Sequence, residues 1–359
     1  MNVYASVALS GDGYMDDRSP RRLILSTPAD WREVMRLRAW ADAILVGAET
    51  VRRDDPSLTV RDEAFRRERL AANRPADPAK VTLSRSLRLA PASNFFTAGS
   101  GARIVFTDNA AASPLETAAE IVRIPDLSAA RILTELEKRG FERLLVEGGP
   151  RTLGLFFAEG LVDTLRMAVN PAVRVGDPHA PRFEPPFDPA RFPQQRRRLE
   201  GMEVTTYTLH PDTTEEDLRH LRMAVDEGRK CTPGPTSYCV GAVVATADGR
   251  IFAGYTHETS ATHHAEQEAI AKALAAGAEL RGAAMYSSME PCSRRASEPE
   301  SCTQLIIRHG FARAAFALYE PDCFVCCRGA LTLREAGVDV RAYPALANGV
   351  WEANAHLKR

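Results

Sequence analysis

Short apolar runs alternate with amphipathic stretches through the first half of the chain. Residues Asn2–Ser10 are mostly apolar and β-prone and stop before Gly11, which predicts a buried strand followed by a loop. Residues Pro28–Ala41 follow a Ser-Thr pair that can cap a helix and carry apolar side chains at helical spacing, so we expect a helix there. The apolar run Ala43–Gly47 predicts a second buried strand.

The same alternation continues to about residue 210. Further strands are predicted at 80–83, 102–107, 144–146 and 166–169, and helices at 129–139 and 151–159. Strands that alternate with helices are typical of an α/β domain whose sheet is largely parallel and whose ligands bind at the carboxyl ends of the strands. Residues 185–200 are rich in proline and arginine and are predicted to form a loop.

One of these strand ends carries a candidate phosphate site. The segment Glu147-Gly-Gly-Pro150 follows the apolar run at 144–146 and leads into a helix. Free backbone amides and the positive end of a helix meet there, where glycine lets a phosphate approach. A glycine pair before a helix is also common as simple turn chemistry, so both interpretations stay open at this point.

A different order of elements begins after residue 210, where we place the boundary between a first domain, 1–210, and a second domain, 211–359. A helix at 215–226 precedes two strands, at 239–246 and 250–255, that are joined by a glycine turn. The remaining predicted elements are a helix at 264–275, a strand at 283–288, a helix beginning at Pro291-Cys292, and strands at 314–318 and 338–342. Together they predict an α/β/α sandwich.

The second domain contains a candidate metal site. His264, Cys292 and Cys302 offer one imidazole and two thiolates, a set that suits a tetrahedral zinc ion with its fourth position open. Glu266 lies two residues after the histidine, so it can carry protons without being a ligand, as a zinc deaminase requires. Nine residues separate the two cysteines, whereas the usual deaminase motif has two. The alternative is that these cysteines are ordinary buried thiols and that His264 lies on a helix surface.

The other cysteines and the composition narrow the class of protein. Of the seven cysteines, Cys323, Cys326 and Cys327 cluster near the end of the chain, and we expect them to be structural thiols. The formal net charge of -1 argues against a nucleic-acid partner held by bulk electrostatics. No apolar run approaches ~18 residues and no basic leader precedes an apolar core. We therefore expect a cytoplasmic enzyme that acts on a small molecule, without nucleic acid or membrane.

Residues 37–61 closely resemble the reductase domain of the bifunctional riboflavin-biosynthesis deaminase/reductase family, which shares the dihydrofolate-reductase fold. The segments Ser10-Gly-Asp-Gly13, Val146-Glu-Gly-Gly-Pro150 and 160–163 fall in the expected order. The resemblance implies that NADPH reduces the ribosyl group of a pyrimidine phosphate to ribityl. The implied cofactor contacts are Ala8, Thr50, Asp54, Gly149, Pro150, Arg151 and Thr152, and the implied substrate contacts are Arg38, Leu58, Arg61 and Glu147.

Two segments depart from that family. Ser84-Arg85 stands where an Asp-Ser pair is usual, and Arg22-Leu-Ile24 replaces aromatic or small polar residues. Arg85 is a candidate partner for the 2′-phosphate of NADPH on its charge alone. These changes leave open a second hypothesis, in which the reductase-like domain is kept for binding or assembly.

The second domain resembles the cytidine-deaminase-like fold, and the insert between its cysteines resembles that of fungal pyrimidine deaminases of the same pathway. Ser293, Arg294 and Ser297 in this insert are candidate substrate contacts. The resemblance implies a bifunctional enzyme that needs NADPH and zinc, reduces before it deaminates, and forms a homodimer. The alternative among enzymes is a paralogue that acts on a related pyrimidine in specialised metabolism.

Overall fold

The computed structural model describes residues 1–19, 21, 23–295, 298–321 and 327–357. The chain divides into two units. The first comprises Asn2–Leu133 and Phe141–Pro211, and the second comprises Met1, Thr134–Gly140 and the chain from Asp212 onward. Among the described residues, no helix combines the length and apolar character needed to cross a membrane.

The first unit is built on one sheet of nine strands. These strands are β1 (Asn2–Ser10), β2 (Ala43–Gly47), β3 (Ala79–Leu83), β4 (Arg103–Thr107), β5 (Glu120–Arg123), β6 (Arg143–Val146), β7 (Thr164–Asn170), β8 (Gln194–Leu199) and β9 (Met202–Thr208). Their order across the sheet is β5-β4-β3-β2-β6-β1-β7-β9-β8. Every pair from β5 to β7 is parallel, and β9 and β8 follow antiparallel, so the predicted α/β fold with a largely parallel sheet is confirmed.

Helices connect these strands. They are α1 (Pro28–Trp40), α2 (Ala48–Asp54), α3 (Glu63–Ala71), α4 (Asn94–Thr97), α5 (Ala129–Lys138) and α6 (Pro150–Ala158). Thr27 caps α1 by accepting a hydrogen bond from the backbone N–H of Asp30, and Pro28 occupies the first turn, where its missing N–H costs nothing. In β2, Ala43, Ile44 and Leu45 are completely buried, because a parallel strand in mid-sheet is covered on both faces.

The predicted loop at 185–200 is wrong in its second half. Residues Gln194–Leu199 form the edge strand β8, paired antiparallel with β9. The two strands are joined by Glu200 and Gly201, which both have positive φ, at 44° and 87°, and so make the tight turn that suits a hairpin. The strand escaped notice because its side chains are nearly all polar and exposed, so they show no alternation of apolar and polar positions.

The second unit contains a five-stranded sheet with helices on it. Its elements are α7 (Thr214–Gly228), β10 (Gly241–Ala245), β11 (Ile251–Tyr255), α8 (Ala265–Ala275), β12 (Ala284–Met289), α9 (Cys302–Arg308), β13 (Arg313–Leu318), α10 (Gly329–Glu335), β14 (Asp339–Ala342) and α11 (Ala347–Ala353). The order is β11-β10-β12-β13-β14, with β12, β13 and β14 parallel and β10 antiparallel to both of its neighbours. Side chains such as Ala269, Ile306 and Phe316 form a core between sheet and helices.

The helix predicted to begin at Pro291-Cys292 starts ten residues later, at Cys302. Ser301 is its N-cap and forms a capping box with Gln304: the Ser301 hydroxyl accepts from the Gln304 N–H, and the Gln304 side chain accepts from the Ser301 N–H at 2.8 Å. The Ser-x-x-Gln pattern was available in the sequence. It decides the start of α9 more firmly than the proline does.

Lys80 offers a test of what holds the first unit together. Its side chain is fully buried, and Nζ donates to the backbone carbonyls of Asn94 and Phe95 at 3.2 and 2.8 Å. Lys80→Met keeps the stem but leaves these carbonyls without their donor, so the free energy of unfolding of the first unit should fall by about 1–3 kcal/mol. Urea denaturation measures it, with the exposed Lys230→Met as the control. Equal stability of the two variants would show that the buried ammonium contributes nothing.

Candidate active sites

The three predicted metal ligands meet in the second unit. His264 is the N-cap residue of α8, Cys302 is the first residue of α9, and Cys292 lies in the loop after β12. Their ligand atoms all lie within 4.8 Å of one another. Since ligands of a tetrahedral zinc ion with bonds of about 2.0–2.3 Å lie roughly 3.5 Å apart, a small contraction of this set would hold zinc. The donor atoms therefore fit the metal.

The electrostatics of this cluster favour a thiolate. The backbone N–H of Cys302 donates to Cys292 Sγ at 3.4 Å, and Cys302 Sγ lies 3.6 Å from His264 Nδ1. Hydrogen bonding from Cys302 lowers the pKa of Cys292 to about 4, with the nearby imidazole of His264 acting in the same direction. Two helix N-termini meet there, and their dipoles also favour a thiolate. The protein's own groups therefore favour the negatively charged form of Cys292, which can bind a cation.

Glu266 lies beside the cluster without belonging to it. Its side chain is nearly fully buried, Oε1 accepts from Ser287 Oγ at 3.0 Å, and Oε2 lies 3.3 Å from Cys302 Sγ. Burial raises the pKa of this carboxyl, and the negative charge on Cys292 raises it further. A carboxyl that is held in one orientation and binds a proton more readily than usual can transfer protons at the metal's open position. Ser287 was missed from the sequence because a serine within a buried strand resembles ordinary core packing.

The insert between the cysteines is fastened to the rest of the unit by one of the predicted residues, Ser293, and by Arg295. Ser293 Oγ accepts from the backbone N–H of Arg328 at 3.0 Å, and Arg294 is exposed. Ser297 lies outside the described residues. Arg295, which was missed from the sequence, donates from Nη1 to Gln267 Oε1 at 3.1 Å and from Nη2 to the carbonyl of Thr262, just before His264.

The cysteine group near the end of the chain is described only in part. Cys323 and Cys326 lie outside the described residues. Cys327 is buried, and it is not among the residues whose ligand atoms converge on the metal site. Its expected role as a structural thiol stays a prediction.

The first unit contains a cleft of about 980 Å³ between α1 and the carboxyl ends of β1, β2 and β6. Nine of the predicted contacts line it: Ala8, Arg38, Thr50, Asp54, Glu147, Gly149, Pro150, Arg151 and Thr152.

Leu58 and Arg61 are not among the described residues that line the cleft. Leu58 is buried with a φ of 47°, and Arg61 is exposed and donates to Ser57 Oγ at 3.3 Å. Arg85 is likewise not among the lining residues, and its guanidinium pairs with Asp108 at 3.2 Å.

Arg38 and Glu147 bind each other inside this cleft. The guanidinium donates to both carboxylate oxygens, at 2.9 Å from Nε and 2.6 Å from Nη2, and Arg38 is buried. The indole of Trp31 lies next to this pair, with its ring centre 5.7 Å from the central guanidinium carbon. A bidentate pair of this kind fixes the carboxylate strongly. The fork of Arg38 is therefore directed at Glu147 rather than open to a phosphate.

The glycines at the start of α6 differ in what surrounds them. A Cβ on Gly148 would lie 2.5 Å from the Cβ of Thr152, so only glycine permits this close turn. Gly149, the N-cap residue, has no described heavy atom within 4 Å of such a position. The backbone at Gly149 therefore leaves room for a ligand to approach, as the phosphate interpretation requires.

The lining residues missed from the sequence include Asp30, Trp31 and Arg166. Asp30 resembles an ordinary first-turn acid of a helix, which gives no functional signal. Arg166 could have been noticed, because a lone arginine in the apolar strand Thr164–Asn170 must either be paired or face a cavity.

Both halves of the chain are similar to known proteins. Residues 2–210 match the family described as the RibD C-terminal domain, and residues 214–318 match the cytidine and deoxycytidylate deaminase zinc-binding region. The diaminohydroxyphosphoribosylamino-pyrimidine deaminase of Schizosaccharomyces pombe is 37% identical over 139 residues, which cover 38% of this chain and 34% of that protein. The chain thus spans about a third of the length of this relative.

Two further relatives match one half each. The 2,5-diamino-6-ribosylamino-4(3H)-pyrimidinone 5′-phosphate reductase of Archaeoglobus fulgidus is 31% identical over 177 residues, which cover 47% of this chain and 80% of that protein. The riboflavin biosynthesis protein RibD of Escherichia coli is 35% identical over 123 residues, which cover 34% of this chain and 31% of that protein.

The metal site can be tested by metal analysis. Purified protein should contain about one zinc ion per chain, and Cys302→Ser should lose most of it, since a serine hydroxyl is a poor zinc ligand. Cys231→Ser is the matched control, because Cys231 is buried in the same unit but lies outside the ligand set. Equal zinc in both variants would remove Cys302 from the site.

Proposed function

The chain belongs to the RibD C-terminal domain family, and from that membership we propose that it is a bifunctional enzyme of riboflavin biosynthesis. The reductase domain, 1–210, uses NADPH to convert the ribosyl group of 2,5-diamino-6-ribosylamino-4(3H)-pyrimidinone 5′-phosphate to ribityl. The deaminase domain, 211–359, uses zinc to remove an amino group from the pyrimidine ring hydrolytically. The separate similarity of the two halves to a reductase and to a deaminase supports this pairing.

The observation that carries the deaminase assignment is the position of Glu266 beside three converging ligands. His264, Cys292 and Cys302 would hold the zinc ion, which would supply Lewis acidity at this point. Glu266 takes a proton from water and returns it to the departing amine. The hydrogen bond from Ser287 fixes one carboxylate oxygen, and the other, Oε2, lies 3.3 Å from Cys302 Sγ and so faces the metal ligands.

In the reductase cleft, Thr50, Asp54 and the turn Gly149–Thr152 bind the dinucleotide, whose nicotinamide supplies a hydride when bound. Glu147 accepts hydrogen bonds from the sugar of the substrate. Arg38 holds Glu147 in place through its bidentate pair, so it is a positioning residue. Leu58 and Arg61 stay predicted substrate contacts, as do Ser293, Arg294 and Ser297 in the deaminase.

A second candidate is a paralogue that acts on a related pyrimidine. The observation in favour of this candidate is the buried charged pair Asp30–Arg166 in the cleft wall, because the family resemblance does not account for those two residues. A panel of pyrimidine ribosylamino phosphates assayed with NADPH separates the two candidates.

We also propose a homodimer in the cytoplasm. Dimerisation through the reductase is common in the fold family that the chain resembles, and sedimentation of the purified protein tests it. The five described cysteines that are free thiols agree with a reducing compartment.

The two activities should be separable by substitution. Glu266→Gln removes the proton carrier but no ligand, so ammonia release should fall at least about 100-fold while zinc content and NADPH oxidation persist. Asp54→Ala, in the reductase cleft, should impair NADPH oxidation only. Its deaminase activity is measured with the ribitylamino phosphate supplied directly as the substrate. Loss of both activities in either variant would indicate misfolding, and deamination by Glu266→Gln near the parent rate would exclude Glu266 as the proton carrier.

Ser287 should act through Glu266. Ser287→Ala removes the hydrogen bond that orients the carboxylate, so kcat for deamination should fall about 10–100-fold, the usual effect of losing a group that orients a catalytic residue. KM and zinc content should change little, and Ser287→Thr, which keeps a hydroxyl, should restore part of the rate. An unchanged kcat in Ser287→Ala would mean that Glu266 is held by other contacts.

A further inference from the structure

The insert between the two cysteine ligands is bound to the segment of chain that carries the third ligand. Arg295, three residues after Cys292, donates from Nη1 to Gln267 Oε1 at 3.1 Å and from Nη2 to the carbonyl oxygen of Thr262. Thr262 lies two residues before His264, and Gln267 lies three residues after it. One guanidinium group therefore binds the chain on both sides of the histidine ligand.

A second contact joins the same two segments. Thr262 Oγ1 donates to Glu298 Oε1 at 2.7 Å, and Glu298 lies four residues before Cys302. Thr262 is thus bound through its carbonyl oxygen by Arg295 and through its hydroxyl by Glu298. Together, Thr262, Gln267, Arg295 and Glu298 form a clasp between the insert and the segment that leads into α8.

The loop before α8 is also held by the helix itself. Glu268, which is 1% exposed, accepts from the backbone N–H of Thr259 at 2.9 Å and from its hydroxyl at 2.8 Å, and Oε1 lies 3.1 Å from His263 Nδ1. The backbone N–H of His257 donates to the carbonyl oxygen of His263 at 3.0 Å, which closes the loop on itself. A loop braced in this way transmits a contact at Thr262 to the position of the histidine ligand.

The length of the insert explains why the clasp matters. In the usual motif two residues separate the cysteines, and a turn that short fixes both thiolates relative to each other. Here nine residues separate them, and a longer spacer has more conformations to lose when the ligands converge. Contacts that restrict the insert before the metal arrives reduce the entropy that is lost on binding, and groups that orient metal ligands contribute to metal affinity in this way.

We propose that the clasp positions His264 relative to the two cysteines, so that the insert contributes to zinc binding. Arg295 suits this role because its planar guanidinium group holds two acceptors in a fixed relative geometry. It acts through the neighbours of His264 and is a positioning residue. This inference rests on the proposed deaminase function and deepens it, because it names residues that hold the zinc site together.

The charge of Arg295 and its hydrogen bonds have opposite effects on zinc. A positive charge close to a metal site repels a cation, so the charge alone weakens zinc binding. The hydrogen bonds hold His264 where the cation needs it. Removal of the side chain therefore tightens zinc binding if only the charge matters, and weakens it if the clasp matters.

The test measures the dissociation constant of the purified full chain for zinc, by competition with a chelator of known affinity. Arg295→Met should raise this constant about 10–100-fold, the usual effect of losing a group that orients a metal ligand. Arg295→Lys keeps the charge but cannot hold two acceptors in the same geometry, so it should also raise the constant. Thr262→Val loses only the hydroxyl and keeps the backbone carbonyl, so a smaller rise, of about 2–10-fold, is expected.

Arg308→Met is the matched control. Arg308 lies in α9 and pairs with Glu300 of the insert at 3.0 Å, so this variant also removes an arginine that is bound to the insert. The pair is exposed and joins the insert to α9 rather than to the histidine segment. The dissociation constant for zinc should therefore equal the parent value.

Deamination assays separate positioning from substrate binding. At saturating zinc, Arg295→Met should deaminate the ribitylamino phosphate with kcat and KM near the parent values, because the three ligands and Glu266 are intact. A raised KM that persists at saturating zinc would place Arg295 against the substrate instead and would overturn the inference.

Zinc binding by Arg295→Met that is as tight as in the parent, or tighter, would also overturn it. Thr262→Val changes a single hydroxyl and gives an independent measurement if Arg295→Met fails to fold; an unchanged dissociation constant in that variant would show that the contact with Glu298 does not position the ligand. A parent chain that binds no zinc would reject the metal site and the proposed deaminase function, and the inference with them.

Discussion

The deaminase half depends on one geometric constraint, the convergence of three ligand atoms that come from separate segments of chain. His264 and Cys302 are 38 residues apart, yet their side chains lie in contact because α8 and α9 both begin at the metal site. The start of α9 is fixed locally by the Ser301–Gln304 capping box. The positive ends of both helices then favour the thiolates that the metal needs. In the proposed mechanism, Glu266 and Ser287 can act because this convergence fixes where the zinc ion would lie.

The reductase half is organised by paired charges within one cleft. Arg38 fixes Glu147, and Arg166 binds Asp30, so two of the buried arginines in the unit are bound by carboxylates instead of standing free. Paired guanidinium groups hold carboxylates in a defined direction at the cost of desolvation. That arrangement suits recognition of a neutral ring or a sugar better than capture of a phosphate. The open backbone at Gly149 remains the better candidate for an anion.

The sequence was most informative where chemistry requires a particular residue type. The convergence of His264, Cys292 and Cys302 and the positions of most strands could be predicted, because paired cysteines with a His-x-Glu segment indicate a metal and short apolar runs indicate buried strands. The residues that surround and contact them could not be predicted. Ser287, Asp30 and Arg295 are of types common in strands, first turns and loops. Only the fold shows that Ser287 contacts Glu266, that Asp30 lines the cleft and that Arg295 binds Gln267. The β8 strand was missed for a related reason, since an exposed edge strand of polar residues carries no periodic signal.

The central claim is that one chain reduces and then deaminates the same pyrimidine. Its most direct test supplies 2,5-diamino-6-ribosylamino-4(3H)-pyrimidinone 5′-phosphate to the purified zinc-loaded protein and follows NADPH oxidation and ammonia release together. We expect the two products to be equimolar, NADPH oxidation to precede ammonia release, and omission of NADPH to abolish ammonia release. Ammonia released at the same rate without NADPH would contradict it.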